Sequence, residues 1–154
     1  MARRISDTDL SDALVSASSL PWVEQGPGVF FKPLRLSPNA GTWANILHVE
    51  RSGRVSRHRH LGAVQAWVLQ GSWRYLEHEW VARPGDFVFE GAGDVHTLVV
   101  EPGEEMETLF VIDGPYEYLD EDGRVTGVES AASKLLAYRR HCEANGLEVA
   151  DIVY

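Results

Sequence analysis

The sequence contains one cysteine, Cys142, so no disulfide forms within the chain and cysteine usage demands no oxidising compartment. It has no apolar run of membrane-spanning length, and its opening "MARRISDTDL" lacks the apolar core of a secretory signal. A cytoplasmic protein without a membrane partner is the expectation. Basic residues are the minority: 14 Lys and Arg against 23 Asp and Glu give a net charge of −9, which argues against nucleic acid as a partner. There is no P-loop, dinucleotide fingerprint or nucleophile elbow, and "HEW" at 78–80 is not an HExxH zinc-protease motif. Tandem repeats and low-complexity segments are missing, and no strand–helix–strand rhythm suggests a parallel sheet.

What is present suits one domain. The 154 residues are 44% hydrophobic and 10% aromatic, enough for a single core without disulfide or metal staples. Ser6 to about Ser18 reads as a short N-terminal helix, with Ser6 as N-cap and Leu10, Leu14 and Ala17 at helical spacing. Ser130 to Asn145 reads as a second helix, with Leu135, Tyr138 and Cys142 on one face and Gly146 as the stop. Between them lie "VFFKPLRL", "WANILHVE", "VQAWVLQ", "SWRYLE", "DFVFE", "VHTLVV" and "ETLFVIDG", separated by turn signals such as "RPGD", "GAGD" and "EPGE". Many short strands at near-regular spacing predict an all-β sandwich or small barrel.

The densest local feature is "RHRHLG" at 57–62. In an extended strand, residues i and i+2 point to one side, so His58 and His60 project together and Arg57 and Arg59 project oppositely. The arginines then face solvent while two imidazoles face inward, close enough to share a cation. Imidazole suits zinc, iron, copper and nickel, and one ligand from elsewhere would complete a facial set.

"GRVSRHRHLGAVQAWVLQG" and "PGDFVFEGAGDVH" together resemble the two motifs of the cupin superfamily, and the resemblance covers roughly residues 28–115. It implies an antiparallel jelly-roll barrel over that core, within a single cupin domain spanning 1–154 and flanked by the two helices. It also implies a metal held by His58, His60 and His96. The acidic position of the first motif reads as Gln65, which leaves three histidines plus water or substrate. Gln65 then coordinates through its carbonyl oxygen, hydrogen-bonds a metal-bound ligand, or is a polar barrel residue without a catalytic role. Glu90, six residues before His96, is either a hydrogen-bond acceptor for a ligand imidazole or a surface carboxylate.

Strand parity groups Gln65 with Trp67 and Leu69, Trp73 with Tyr75, His96 with Leu98, and Thr108 with Phe110 and Ile112. Trp67, Trp73, Tyr75, Leu98 and Phe110 are therefore the candidate substrate pocket, or else simply barrel filling. His78 is expected to be exposed, His48 to be a satisfied core histidine, and His141 to sit near a helix C-terminus.

Across most of the chain, including "VLQGSWRYLEHEW", "FFKPLRL" and "YRRHCEANGL", the sequence is similar to a narrower cupin branch. That branch contains 2,4'-dihydroxyacetophenone dioxygenase and the acetylacetone-cleaving dioxygenase. The resemblance implies non-haem Fe(II), O₂ as co-substrate and cleavage of a carbon–carbon bond in a small α-hydroxyketone or β-diketone. "HRH" lacks the HxD or HxE of a 2-His-1-carboxylate site, which disfavours a 2-oxoglutarate mechanism. Competing readings are a Zn(II)-dependent hydrolase or isomerase, and a non-catalytic metal or small-molecule sensor. Family resemblance also implies a homodimer.

Overall fold

The structure is a computed structural model that describes residues 13–51 and 53–153. The expected N-terminal helix lies mostly outside those residues. The part described contains only a 3₁₀ turn at Ala17–Ser19.

Two antiparallel sheets make up the body. The larger has six strands: β1 (Val23–Gly26), β2 (Val29–Ser37), β3 (Thr42–Val49), β9 (Met106–Asp113), β5 (Val64–Gly71) and β7 (Phe87–Glu90), in that spatial order. The smaller has five, in the order β11 (Val125–Glu129), β10 (Tyr116–Leu119), β4 (Arg54–His60), β8 (Val95–Val99) and β6 (Arg74–Tyr75). The two sheets form a jelly roll, and among the described residues there is one α-helix, α1 (Ala131–Asn145), at the C-terminal end.

Alternation builds the core between the sheets. β3 buries Trp43, Asn45, Leu47 and Val49; β5 buries Val64, Ala66 and Val68; β9 buries Met106, Thr108, Phe110 and Ile112. Helix α1 closes one side and contacts β1, β2 and β11. It begins as expected, with Ser130 in a capping box with Ser133, and ends at Gly146 in the left-handed region with φ 63°.

The chain crosses from the five-stranded sheet to the six-stranded one at Leu61–Ala63. A Cβ on Gly62 would lie 2.0 Å from the Asp113 carbonyl oxygen, so only glycine fits there. This crossing decides which side of β5 faces inward. Val64 enters buried and Gln65 follows exposed, opposite to the expectation that placed Gln65 at the metal. An acidic position placed at Gln65 is one residue out of phase with β5, and a one-residue slip turns every side chain of a strand to the other face.

Candidate metal centre

Strand β4 carries two of the three histidines and β8 the third. His58 lies directly across the β4–β8 ladder from His96, while His60 follows two residues later on the same face of β4. Ring centroids are 4.7 Å apart for His58 and His96, 4.9 Å for His58 and His60, and 5.4 Å for His60 and His96. One ring nitrogen from each lies within 4.8 Å of the others, and all three residues are buried. Arg57 is exposed and Arg59 half-buried, its guanidinium paired with Glu117 at 2.6 Å. The alternation read from "HRH" therefore holds.

Just upstream, the register of β4 on β8 shifts between Val55 and His58, which leaves Ser56 and Arg57 both exposed. The Ser56 carbonyl accepts a hydrogen bond from His58 Nδ1 at 2.7 Å. That contact fixes the tautomer and leaves the Nε2 lone pair free for a cation.

Burial holds all three imidazoles neutral. It lowers His58 to about 4, His60 to about 3 and His96 to about 2, and neighbouring histidines reinforce the shift for the last two. Neutral imidazole is the metal-binding form. His60 Nδ1, His96 Nε2 and both Glu90 oxygens are buried without hydrogen-bond partners. Buried polar atoms are ordinarily paired, so this cluster of orphans fits a bound cation.

Glu90 is the acidic group of the site. Its Oε2 lies 3.5 Å from His60 Nε2 and 3.8 Å from His96 Nε2. Burial, with Asp94 adding to it, pushes its carboxyl up to about 8. Glu90 pairs across the β5–β7 ladder with Val64, so the inward row has an apolar side chain on β5 and its carboxylate one strand over. Of the two readings weighed from sequence, the surface carboxylate is excluded, since Glu90 is 3% exposed.

A cavity of about 30 Å³ opens beside the histidines, lined by Tyr75, Leu98, Phe110, Ile112 and Tyr116 among others. Tyr75 stacks on His96 with centroids 3.7 Å apart and planes 9° from parallel. Tyr75, Leu98 and Phe110, three of the five candidate pocket residues, thus line this cavity.

Trp67 and Trp73 do not line it. Trp67 is 47% exposed on the outer face of β5, beside Gln65, for the phase reason given above. Trp73 is fully buried but packs behind the wall, 5.0 Å from the Tyr75 ring and 5.8 Å from that of Phe110. Its Nε1 donates to Thr108 Oγ1 at 2.8 Å.

The remaining histidines lie outside the cluster. His78 is exposed and stacks on Trp80 at 5.3 Å. His48 is half-buried on the outer side of β3 against Trp22, not in the core, because it alternates with the inward Leu47 and Val49. His141 stands on α1, one turn short of its C-terminal end.

Sequence reasoning stopped the barrel at about residue 115 and so missed β10. In that strand Tyr116 lies across from His60 and Tyr118 across from His58, and the Tyr116 ring is 5.0 Å from both imidazoles. The signal was there: "YEYL" alternates aromatic residues and is followed by the turn-forming "DEDG".

Two facing antiparallel sheets with inward histidines from both motif strands define a cupin. More narrowly, the chain belongs to the family described as the ChrR cupin-like domain, which matches residues 10–117. Among solved structures it is similar to an RmlC-like cupin protein from Ralstonia eutropha, with 29% identity over 94% of this chain and 95% of that one and a TM-score of 0.88. The acetylacetone dioxygenase of Acinetobacter johnsonii shares the fold at a TM-score of 0.75, with 18% identity over 90% of this chain and 97% of that one. The anti-sigma ChrR, solved in complex with SigE of Rhodobacter sphaeroides, aligns over 64% of this chain and 51% of the other at 25% identity, with a TM-score of 0.52. A search of the curated proteins gives no match to this chain.

Proposed function

We propose that this protein is a non-haem Fe(II) dioxygenase that uses O₂ to cleave a carbon–carbon bond in a small α-hydroxyketone or β-diketone. The observation that carries the reading is the convergence of three buried, neutral imidazoles beside a small, largely apolar cavity. His58, His60 and His96 would hold the ion. An uncharged ligand trio leaves the ion its full dipositive charge, which favours a chelating enolate and leaves positions for O₂. The fold shared with an acetylacetone dioxygenase supports the substrate class.

The protein's own groups would divide the remaining work. Glu90 Oε2 would accept the proton a diketone loses on forming its enolate, since a cation nearby opposes burial and favours the carboxylate. Tyr75, Leu98 and Phe110 would exclude water and bound the substrate's size.

A second reading has its own support. The family is described by the ChrR cupin-like domain, and a ChrR structure with its sigma factor is among the similar folds, which favours a non-catalytic metal or small-molecule sensor. Metal analysis of purified protein, followed by O₂ uptake on a panel of diketones and hydroxyketones, separates the two. Iron with uptake supports the dioxygenase. Iron without uptake supports the sensor, and a zinc-loaded protein without uptake supports the sensor or a zinc hydrolase.

We read the chain as one cupin domain over 1–154, cytoplasmic and homodimeric. The dimer reading is supported by Trp67, Leu69, Phe87, Phe89 and Val111, all at least 41% exposed on the outer face where β7 ends the six-stranded sheet. Sedimentation of wild type and Phe89→Lys tests it: a dimer that becomes a monomer supports the reading, and a monomeric wild type refutes it.

A further inference from the structure

Lys134 is the one buried cation among the described residues, at 1% exposure, and the site described above does not use it. It stands on α1, hydrogen-bonds Gln25 Oε1 through Nζ, lies 3.5 Å from Glu129 Oε2, and sits 4.2 Å over the Phe31 ring. Burial pulls its ammonium down to about 8, against the opposing effect of Glu129. Burying a flexible lysine costs both desolvation and rotamer entropy, so its arrangement invites a functional account.

An ammonium only donates, so Lys134 fixes which end of the Gln25 amide faces it. The amide nitrogen must then turn the other way, and it donates to Tyr116 Oη at 3.1 Å and to Tyr118 Oη at 3.3 Å. The two hydroxyls are 3.3 Å apart, so one donates to the other. Each tyrosine oxygen already accepts from the amide. Two hydroxyl protons remain and the pair can use one of them. The second has no acceptor among the described residues.

Where that proton points follows from the two cavities. Tyr116 lines the cavity beside the histidines, whereas Tyr118 lines an outer groove of about 320 Å³, and Gln25 lines both. If Tyr118 donates to Tyr116, the spare proton is that of Tyr116, whose ring packs on His58 and His60. This order makes the longest chain of donors, each polarising the next.

We infer that Lys134, Gln25, Tyr118 and Tyr116 form a polarised donor chain ending in a Tyr116 hydroxyl proton offered to an oxygen of the cavity's ligand. The ligand class is thereby a small carbonyl compound with an accepting oxygen beyond the pair that reaches the metal, such as a β-keto acid. This deepens the proposed function and rests on it. Lys134 and Gln25 are positioning residues, and Tyr116 is the group that touches the ligand.

The test uses zinc-loaded protein labelled with ¹³C at tyrosine Cζ, titrated with acetoacetate, which has a third oxygen, and with pentane-2,4-dione, which has two. The expected result is a shift of the Tyr116 resonance with acetoacetate and a smaller one with the diketone. The preference for acetoacetate should fall about tenfold in Tyr116→Phe and in Lys134→Met, the loss of one good hydrogen bond. Zinc should stay at one per chain in both. If Lys134→Met does not fold, Tyr116→Phe decides, since it deletes a single oxygen. A Tyr116 resonance unmoved by acetoacetate, or a preference unchanged by Tyr116→Phe, overturns the inference. If wild type takes up no zinc, the metal reading fails by itself. The same titration of metal-free protein then decides the donor chain, with a Tyr116 shift supporting it and no shift overturning it.

Discussion

The two sheets that face each other across the cavity differ in kind. The five-stranded sheet supplies its nitrogen donors and phenols: His58 and His60 from β4, His96 from β8, Tyr75 from β6 and Tyr116 from β10. The six-stranded sheet supplies mostly shape, with Leu47, Phe110 and Ile112 facing inward, and adds the amides of Gln25 on β1 and Asn45 on β3 and one carboxylate at its edge, Glu90 on β7. Cross-strand neighbours on a flat ladder can hold ligand atoms at fixed spacing, which a single pair of facing side chains cannot. The opposite wall is then free to set size and dryness. The three metal-ligand candidates stand on one sheet and most of the shaping side chains on the other, and substitutions should separate the two.

The largest effect is expected on the histidine wall. His58→Ala, His60→Ala or His96→Ala should each lower bound metal from about one per chain to near zero and abolish the rise in melting temperature that metal gives wild type. Metal analysis beside thermal melts reads both. Retention of one metal in all three variants would break the comparison.

Acid should destabilise the metal-free protein through the same wall. The folded histidines have pKa values of about 4, 3 and 2, below the ordinary 6.5, so the unfolded chain binds protons first as pH falls. Stability is therefore lost as pH drops from about 6.5 to about 4 for His58, 3 for His60 and 2 for His96, each imidazole contributing at most about 1.4 kcal/mol per pH unit. Glu90 acts in the opposite direction. Its folded value near 8 is above the ordinary 4.5, so its contribution is fully present below about 4.5 and lost as pH rises from there through 8. Glu90→Gln should remove only that loss between about pH 4.5 and 8, as urea titrations across pH would show.

On the opposite wall, Phe110→Ala should cost about 3–5 kcal/mol of stability and leave metal stoichiometry at one. Denaturant melts and metal analysis of one sample test it. Loss of metal would mean that the six-stranded sheet does more than shape the site.

The smallest effects belong to outward residues. Arg59→Gln removes a partly exposed pair with Glu117 and should change stability by about 1 kcal/mol or less. Arg57→Gln and Gln65→Ala should change neither metal content nor O₂ uptake, measured as above.

Much of the first wall was legible because it is local. Two histidines two residues apart on a strand share a face whatever the rest of the chain does. The family motif then supplied His96. The second wall was less legible because its phase depends on a turn. Gln65 and Trp67 were read inward, but Gly62 brings the chain hard against the Asp113 carbonyl and β5 starts with Val64 inside.

Lys134 was overlooked for another reason. A lysine in "SKLLAYRRHC" reads as solvent-facing, yet 134, 138 and 142 recur at helical spacing and all three are buried. Its partner Gln25 lies 109 residues away in the chain, and only β1 closing beside α1 brings the two together.

The central claim is that one sheet holds one divalent metal through three neutral imidazoles. X-ray absorption on protein loaded with one equivalent of Fe(II) under nitrogen tests it most directly. The account predicts three imidazole scatterers with nitrogens at about 2.0–2.3 Å. A first shell with fewer than three imidazoles, or one unchanged in His96→Ala, would contradict it.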